Sequence, residues 1–175
     1  MPNQPTIALL SWEMNDAWHT FTNAVQNLTE TEFWWKPSAN SWTLREINGR
    51  WALDYDQPTP IPPGPLTIAW LILHIATCKV MYVEYAFGPA KLTWDDLTLP
   101  SHMGGALRYL AESHRALETA IGHLRDNDLT VPRLTNWGEQ WPTTRIIWTL
   151  IQHDVYHGAQ IQAMRKLYRA LHAEP

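Results

Sequence analysis

Cysteine occurs once in the 175 residues, as Cys78, so no intrachain disulfide can form and no cysteine-rich zinc framework is available. Any bound metal must then rely on His, Asp or Glu. Basic residues are also few: 13 Lys and Arg against 17 Asp and Glu give a formal net charge of -4. Nucleic acid and anionic membrane surfaces both require clustered Lys and Arg, so neither is expected as a partner. The opening segment MPNQPTIALLSWEMNDAW has no basic region followed by an apolar one, and no unbroken apolar run reaches membrane-spanning length. A cytoplasmic protein acting on a small molecule is the expectation. Hydrophobic residues make up 45% and charged residues 17%, a balance that supports a folded core, and the length suits one domain over 1–175.

Apolar side chains organise the chain. Ile7, Leu10, Met14, Trp18, Phe21, Val25 and Leu28 recur every three or four positions, which predicts a first helix over 7–28. Around Asn48-Gly49 the pattern alternates, with Leu44 set opposite Leu53 and Trp42 opposite Tyr55. That predicts a β-hairpin, because a type I′ turn needs positive φ at both central positions. A proline-rich run, Gln57 to Pro65, follows as an extended connector, so hairpin and connector together occupy about 41–66. Thr67 can cap a second helix running to about Phe87, where Gly88-Pro89 stops it. Ser101 can cap a third, whose stripe runs from Met103 to Leu124. A fourth runs from Thr143 to about Leu171. Four amphipathic helices without strands of similar length predict an all-α four-helix bundle with a hairpin inserted between helices one and two.

Two histidines one turn apart, His153 and His157, interrupt the apolar stripe of the fourth helix, and His74 interrupts that of the second. Unpaired imidazoles are costly to bury. Three of them aimed inward from two helices match the donor set of an open metal site with three protein ligands.

The segments Thr67-Ile-Ala-Trp-Leu-Ile-Leu-His74-Ile and His153-Asp-Val-Tyr-His157-Gly-Ala-Gln-Ile161 resemble the DinB-like (DinB/YfiT) superfamily of bacterial four-helix proteins. The likeness extends over almost the whole chain, and the hairpin with its connector resembles a branch carrying an insertion there. One departure is Ala159, where many relatives have glycine; here Gly158 stands one position earlier. The resemblance implies a divalent metal, most often zinc or nickel, with iron or manganese as alternatives, on His74, His153 and His157. It also implies a homodimer and, for some members, a thiol-dependent S-transferase or isomerase activity using a bacterial low-molecular-weight thiol. Metal-assisted hydrolysis is the enzymatic alternative, with Glu84 and Asp154 as candidate bases, although Glu84 lies nearly three turns from His74 and Asp154 off the inward stripe. The remaining alternative is a non-catalytic binding module whose metal is structural or absent.

Other residues carry plainer expectations. His114 falls on the third helix's stripe as a core histidine, and Cys78, one turn past His74, as a small core residue. Tyr156 is expected to pack on a neighbouring helix, and Arg145 and Arg165 to be solvated or ion-paired. Trp94, Trp137 and Trp141 lie in loops, where packing is the simplest role and a pocket mouth the sharper one. His19, His102, His123 and His172 are expected to be exposed.

Overall fold

In a computed structural model describing residues 4–56, 58–60 and 64–173, the periodic stretches are helical. In chain order the helices are α1 (Pro5–Val25), α2 (Glu30–Trp34), α3 (Ile68–Phe87), α4 (Met103–Gly122) and α5 (Thr143–His172). The four long ones form the bundle: α1 packs along α5, α3 along α4, and α3 also against α5. Gln57 and residues 61–63 of the proline-rich connector lie outside the described residues.

Local chemistry sets most boundaries. The Thr67 hydroxyl accepts a hydrogen bond from the Trp70 amide at 3.1 Å, capping α3 as its sequence predicts. α3 is long and apolar enough to cross a membrane, but 67% of its most apolar stretch is buried inside the bundle, as befits a core helix. The hairpin pairs β1 (Leu44–Ile47) with β2 (Arg50–Leu53), in the expected Leu44 to Leu53 register. Asn48 and Gly49 have φ of 53° and 77°, as a type I′ turn requires.

Four expectations are corrected. Helix α1 ends at Val25 rather than Leu28, because Asn27 turns left-handed at φ 54°. The following Thr29 and Glu32 form a capping box that starts the unpredicted α2. The ladder of the hairpin stops at Leu44 and Leu53, since the Asp54 carboxylate accepts from the Thr43 amide and from Arg45. Trp42 therefore pairs with Leu66, although its ring still lies 5.5 Å from that of Tyr55. The cap of α4 is His102, not Ser101, without a side-chain hydrogen bond. A second small hairpin, β3 (Pro132–Leu134) with β4 (Gln140–Pro142), occupies what reads as a loop before α5.

The apolar core falls into two halves. One gathers Phe21, Phe33, Trp42, Leu71, Leu73 and Ile161; the other gathers Met14, Tyr82, Leu117, Ile146, Leu150 and Ile151. Every long helix passes from one half to the other. The residues at the crossing are Trp18 on α1, His74 to Lys79 on α3, His114 on α4, and His153 to His157 on α5. A polar layer thus crosses the waist of the bundle.

Candidate metal centre

Helix α3 contributes His74 to this layer, and α5 contributes His153 and His157 from successive turns. Their rings converge, with centroids 5.0 Å apart for His74 and His153, 5.1 Å for His74 and His157, and 4.4 Å for His153 and His157. The Nε2 atoms of His74 and His153 are 3.1 Å apart. Two imidazole ligands on one tetrahedral zinc would stand about 3.3 Å apart, given zinc to nitrogen bonds of about 2.0–2.1 Å. The spacing fits a shared ion.

The outer nitrogens are held from behind. His74 Nδ1 shares a 2.8 Å hydrogen bond with the Tyr55 hydroxyl, and the His74 ring stacks on Trp70 at 4.5 Å and 16°. His157 Nδ1 donates to Gln160 Oε1 at 2.6 Å, which leaves its Nε2 unprotonated. Such outer hydrogen bonds fix the tautomer and aim of a metal-ligating imidazole. Among the described residues, His153 Nδ1 is buried without a hydrogen-bond partner. Burial keeps all three rings neutral, the form that binds metal. Desolvation, reinforced by His157, pushes His74 down to about 3, and desolvation with the same neighbour's help takes His153 to about 2. His157 is lowered by desolvation too, against its bond to Gln160.

Cys78 is closer to this group than its sequence position alone required. Its Sγ lies 3.9 Å from both ring nitrogens of His74, and donor atoms of His74, Cys78 and His153 all fall within 4.8 Å of one another. Burial pushes the Cys78 thiol up to about 12, with Lys79 opposing and Asp154 adding to the rise, so without a metal it is a neutral thiol.

Behind the histidines lies an ion pair that sequence reasoning missed. Lys79 and Asp154 are 0% and 1% exposed, with Nζ 2.5 Å from Oδ2. Lys79 also donates to His114 Nδ1 at 3.3 Å, and His114 stacks on Trp18 at 3.9 Å. Desolvation lowers Lys79 and raises Asp154, each opposed by the attraction of the other. Asp154 thus corrects the expectation that it stands off the inward stripe. α5 is covered by both α1 and α3, so its buried face is wide enough to include Ile147, Ile151, Asp154, Gly158 and Ile161. Lys79 gave no signal because a lysine among apolar residues normally reads as exposed.

The other candidates sort by contact. Glu84 accepts from the amides of Lys91 and Leu92 through Oε1, capping the turn after α3, and Asp154 is buried and paired with Lys79 through Oδ2, its Oδ1 having no partner among the described residues. Arg165 is buried and ion-paired: it binds Glu32 at 3.1 Å and donates to the carbonyls of Ala24, Gln26 and Asn27. Arg145 stacks on Trp141, and Trp137 packs on both Trp141 and Tyr82. Tyr156 is exposed, its ring 5.0 Å from that of His157. His114 is a core histidine, whereas His19, His102, His123 and His172 are at the surface.

Fold and site together define a four-helix bundle carrying a His/Cys/His group able to hold a metal ion. Comparison of the sequence with known families matches residues 13–161 to the DinB superfamily, and the chain belongs to it. Among curated proteins, none matches the sequence.

Proposed function

We propose that the protein binds one divalent transition metal, zinc or nickel, on His74, His153 and His157 and uses it in a thiol-dependent transfer or isomerisation. The observation that supports ligation is the convergence of three neutral imidazoles from α3 and α5, with two Nε2 atoms 3.1 Å apart. A bound divalent ion supplies Lewis acidity, which favours the thiolate form of a thiol and polarises a carbonyl. The chain's own residues set up that chemistry. Tyr55 and Gln160 hold the Nδ1 atoms of His74 and His157, which fixes the orientation of both rings. Trp70 blocks rotation of the His74 ring by stacking on its face. Cys78 stands within reach as a fourth donor, one that an incoming thiol would replace.

A thiol reaction is preferred to hydrolysis because hydrolysis needs a free base beside the bound water, and Glu84 and Asp154 are both engaged elsewhere. We place the activity in the cytoplasm, where a reduced thiol pool would supply the cosubstrate, and in a homodimer. Exposed apolar side chains on the packed pair α1 and α5, namely Leu9, Trp12, Trp148 and Val155, support self-association.

Elemental analysis of untagged protein tests ligation. One equivalent of zinc or nickel in the parent, lost in folded His74→Ala, His153→Ala and His157→Ala variants, is expected. A parent that holds no metal after reconstitution with zinc, nickel, iron and manganese would overturn the reading. Thiol-independent turnover of every electrophile accepted would overturn the transferase assignment alone.

A further inference from the structure

Beside the histidines, on the outer side of α3, the inserted hairpin and the 94–99 segment enclose a cavity of about 480 Å³. Its walls include Ile47, Trp51, Leu53, Trp94, Leu97 and Leu99. Tyr55 and Thr77 close the end nearest the metal ligands: Tyr55 hydrogen-bonds His74, and the Thr77 hydroxyl donates to the Leu73 and His74 carbonyls. Volumes of about 300–1,000 Å³ with mainly apolar walls are typical of small-molecule sites. Ile47, Tyr55 and Trp94 are 50%, 46% and 46% exposed, so three large apolar side chains around this cavity are left to water.

The polar groups of the lining are already occupied. Arg50 donates to the carbonyls of Asp95 and Leu97 and has Asp95 and Asp96 beside it, so its charge is balanced locally. Thr77 is bound to its own helix, and Tyr55 to His74. No unbalanced cation or anion is left among the described lining residues to hold a charged ligand.

We infer that this cavity, set behind His74, is a ligand-binding pocket adjoining the candidate metal centre and takes a neutral, mainly aromatic molecule of one or two rings. The inference does not rest on the proposed ligation; the binding depends on the hairpin and the 94–99 segment. Trp51 and Trp94 offer flat surfaces on which an aromatic ring stacks. Tyr55 is the link between the two parts, a positioning residue whose ring forms the pocket end and whose hydroxyl holds His74.

The test is titration of the full-length protein with N-phenylnaphthylamine, a neutral fluorophore, followed by tryptophan-sensitised emission. Metal content is measured on the same samples. Saturable binding of one equivalent is expected, weakened at least tenfold in Leu97→Trp and Ala52→Trp, which fill the cavity from opposite walls, and unchanged in Leu171→Ala at the exposed end of α5. Helicity by circular dichroism verifies each fold, and either filled variant that folds is sufficient. Absence of saturable binding to the parent overturns the pocket, as does equal affinity in a folded filled variant. Tighter binding of anilinonaphthalene sulfonate than of the neutral probe overturns the assignment of a neutral ligand. A parent that binds the fluorophore but never metal would support the pocket while sinking the proposed ligation, so the two failures are distinguishable.

Discussion

Replacing Asp154 with Asn would leave the Lys79 ammonium buried at the waist of the bundle without a counter-ion. Both groups are essentially inaccessible, and His114, the remaining partner of Lys79, is a neutral acceptor. Breaking a buried pair by removing one member typically costs about 3–5 kcal/mol, because the surviving charge stays desolvated. In a protein of this size 1 kcal/mol moves Tm by about 2–4 °C, so a fall of about 6–20 °C is expected. The double variant Lys79→Met with Asp154→Leu behaves differently. Exchanging the whole pair for apolar side chains of similar volume removes the desolvation cost together with the attraction, and should leave stability within about 2 kcal/mol of the parent. Urea unfolding of metal-free protein at pH 7, followed by circular dichroism, measures the single variants, the double variant and hence the coupling between the two sites. A loss below about 1 kcal/mol in Asp154→Asn would refute the reasoning. So would a double variant that loses the sum of the two single losses, since the pair would then be acting as two independent groups.

Two further outcomes follow from buried polar groups. His114 is pushed down to about 3 by desolvation and by Lys79, so between pH 6.5 and 3 the unfolded chain takes up a proton that the folded state refuses. Stability contributed by the neutral ring is therefore intact above about pH 6.5 and is lost as pH falls, by up to about 1.4 kcal/mol per unit; a metal-free His114→Gln variant should show a shallower decline in urea midpoint between pH 7 and 5. Arg165→Ala should cost about 2 kcal/mol or more, because it leaves Glu32 with Arg169 as its one cation and unpairs three backbone carbonyls at the junction of α1, α2 and α5; thermal unfolding measures it, and a shift under 2 °C would contradict the assigned contacts.

What sequence reveals and hides here follows from the kind of signal each residue gives. The long helices and the hairpin register are legible because periodicity and an Asn-Gly turn are local signals, and Thr67 and Thr143 mark where α3 and α5 begin. His74, His153 and His157 stand out because a histidine in an apolar stripe is an anomaly. Lys79 and Asp154 do not, since each taken alone reads as a surface charge and their burial exists only as a pair separated by 75 residues. Arg165 and Glu32 are hidden for the same reason, at a separation of 133. The capping box of Thr29 and Glu32 was, by contrast, available to inspection as a Thr-x-x-Glu motif just past the first helix.

The placement of the polar layer ties these observations together. Cutting an apolar bundle across its waist costs stability, and buried groups of either sign are tolerated only where partners meet them. Here the layer is divided by helix. α4 and α1 supply His114 and Trp18, which close one side against Lys79; α3 and α5 supply both the ion pair and the histidines. Lys79 and Asp154 adjoin Cys78 and His153 in sequence, so the pair clamps α3 to α5 one residue from the groups that converge at the candidate centre. That clamp fixes the separation of the two helices, on which the 3.1 Å spacing of His74 and His153 depends. Tyr55, which follows the hairpin, links the two parts: its hydroxyl holds His74 Nδ1 and its ring lines the cavity beside Trp51 and Trp94. In this arrangement the ion pair ties α3 to α5 beside the histidines, and Tyr55 joins His74 to the cavity under the inserted hairpin.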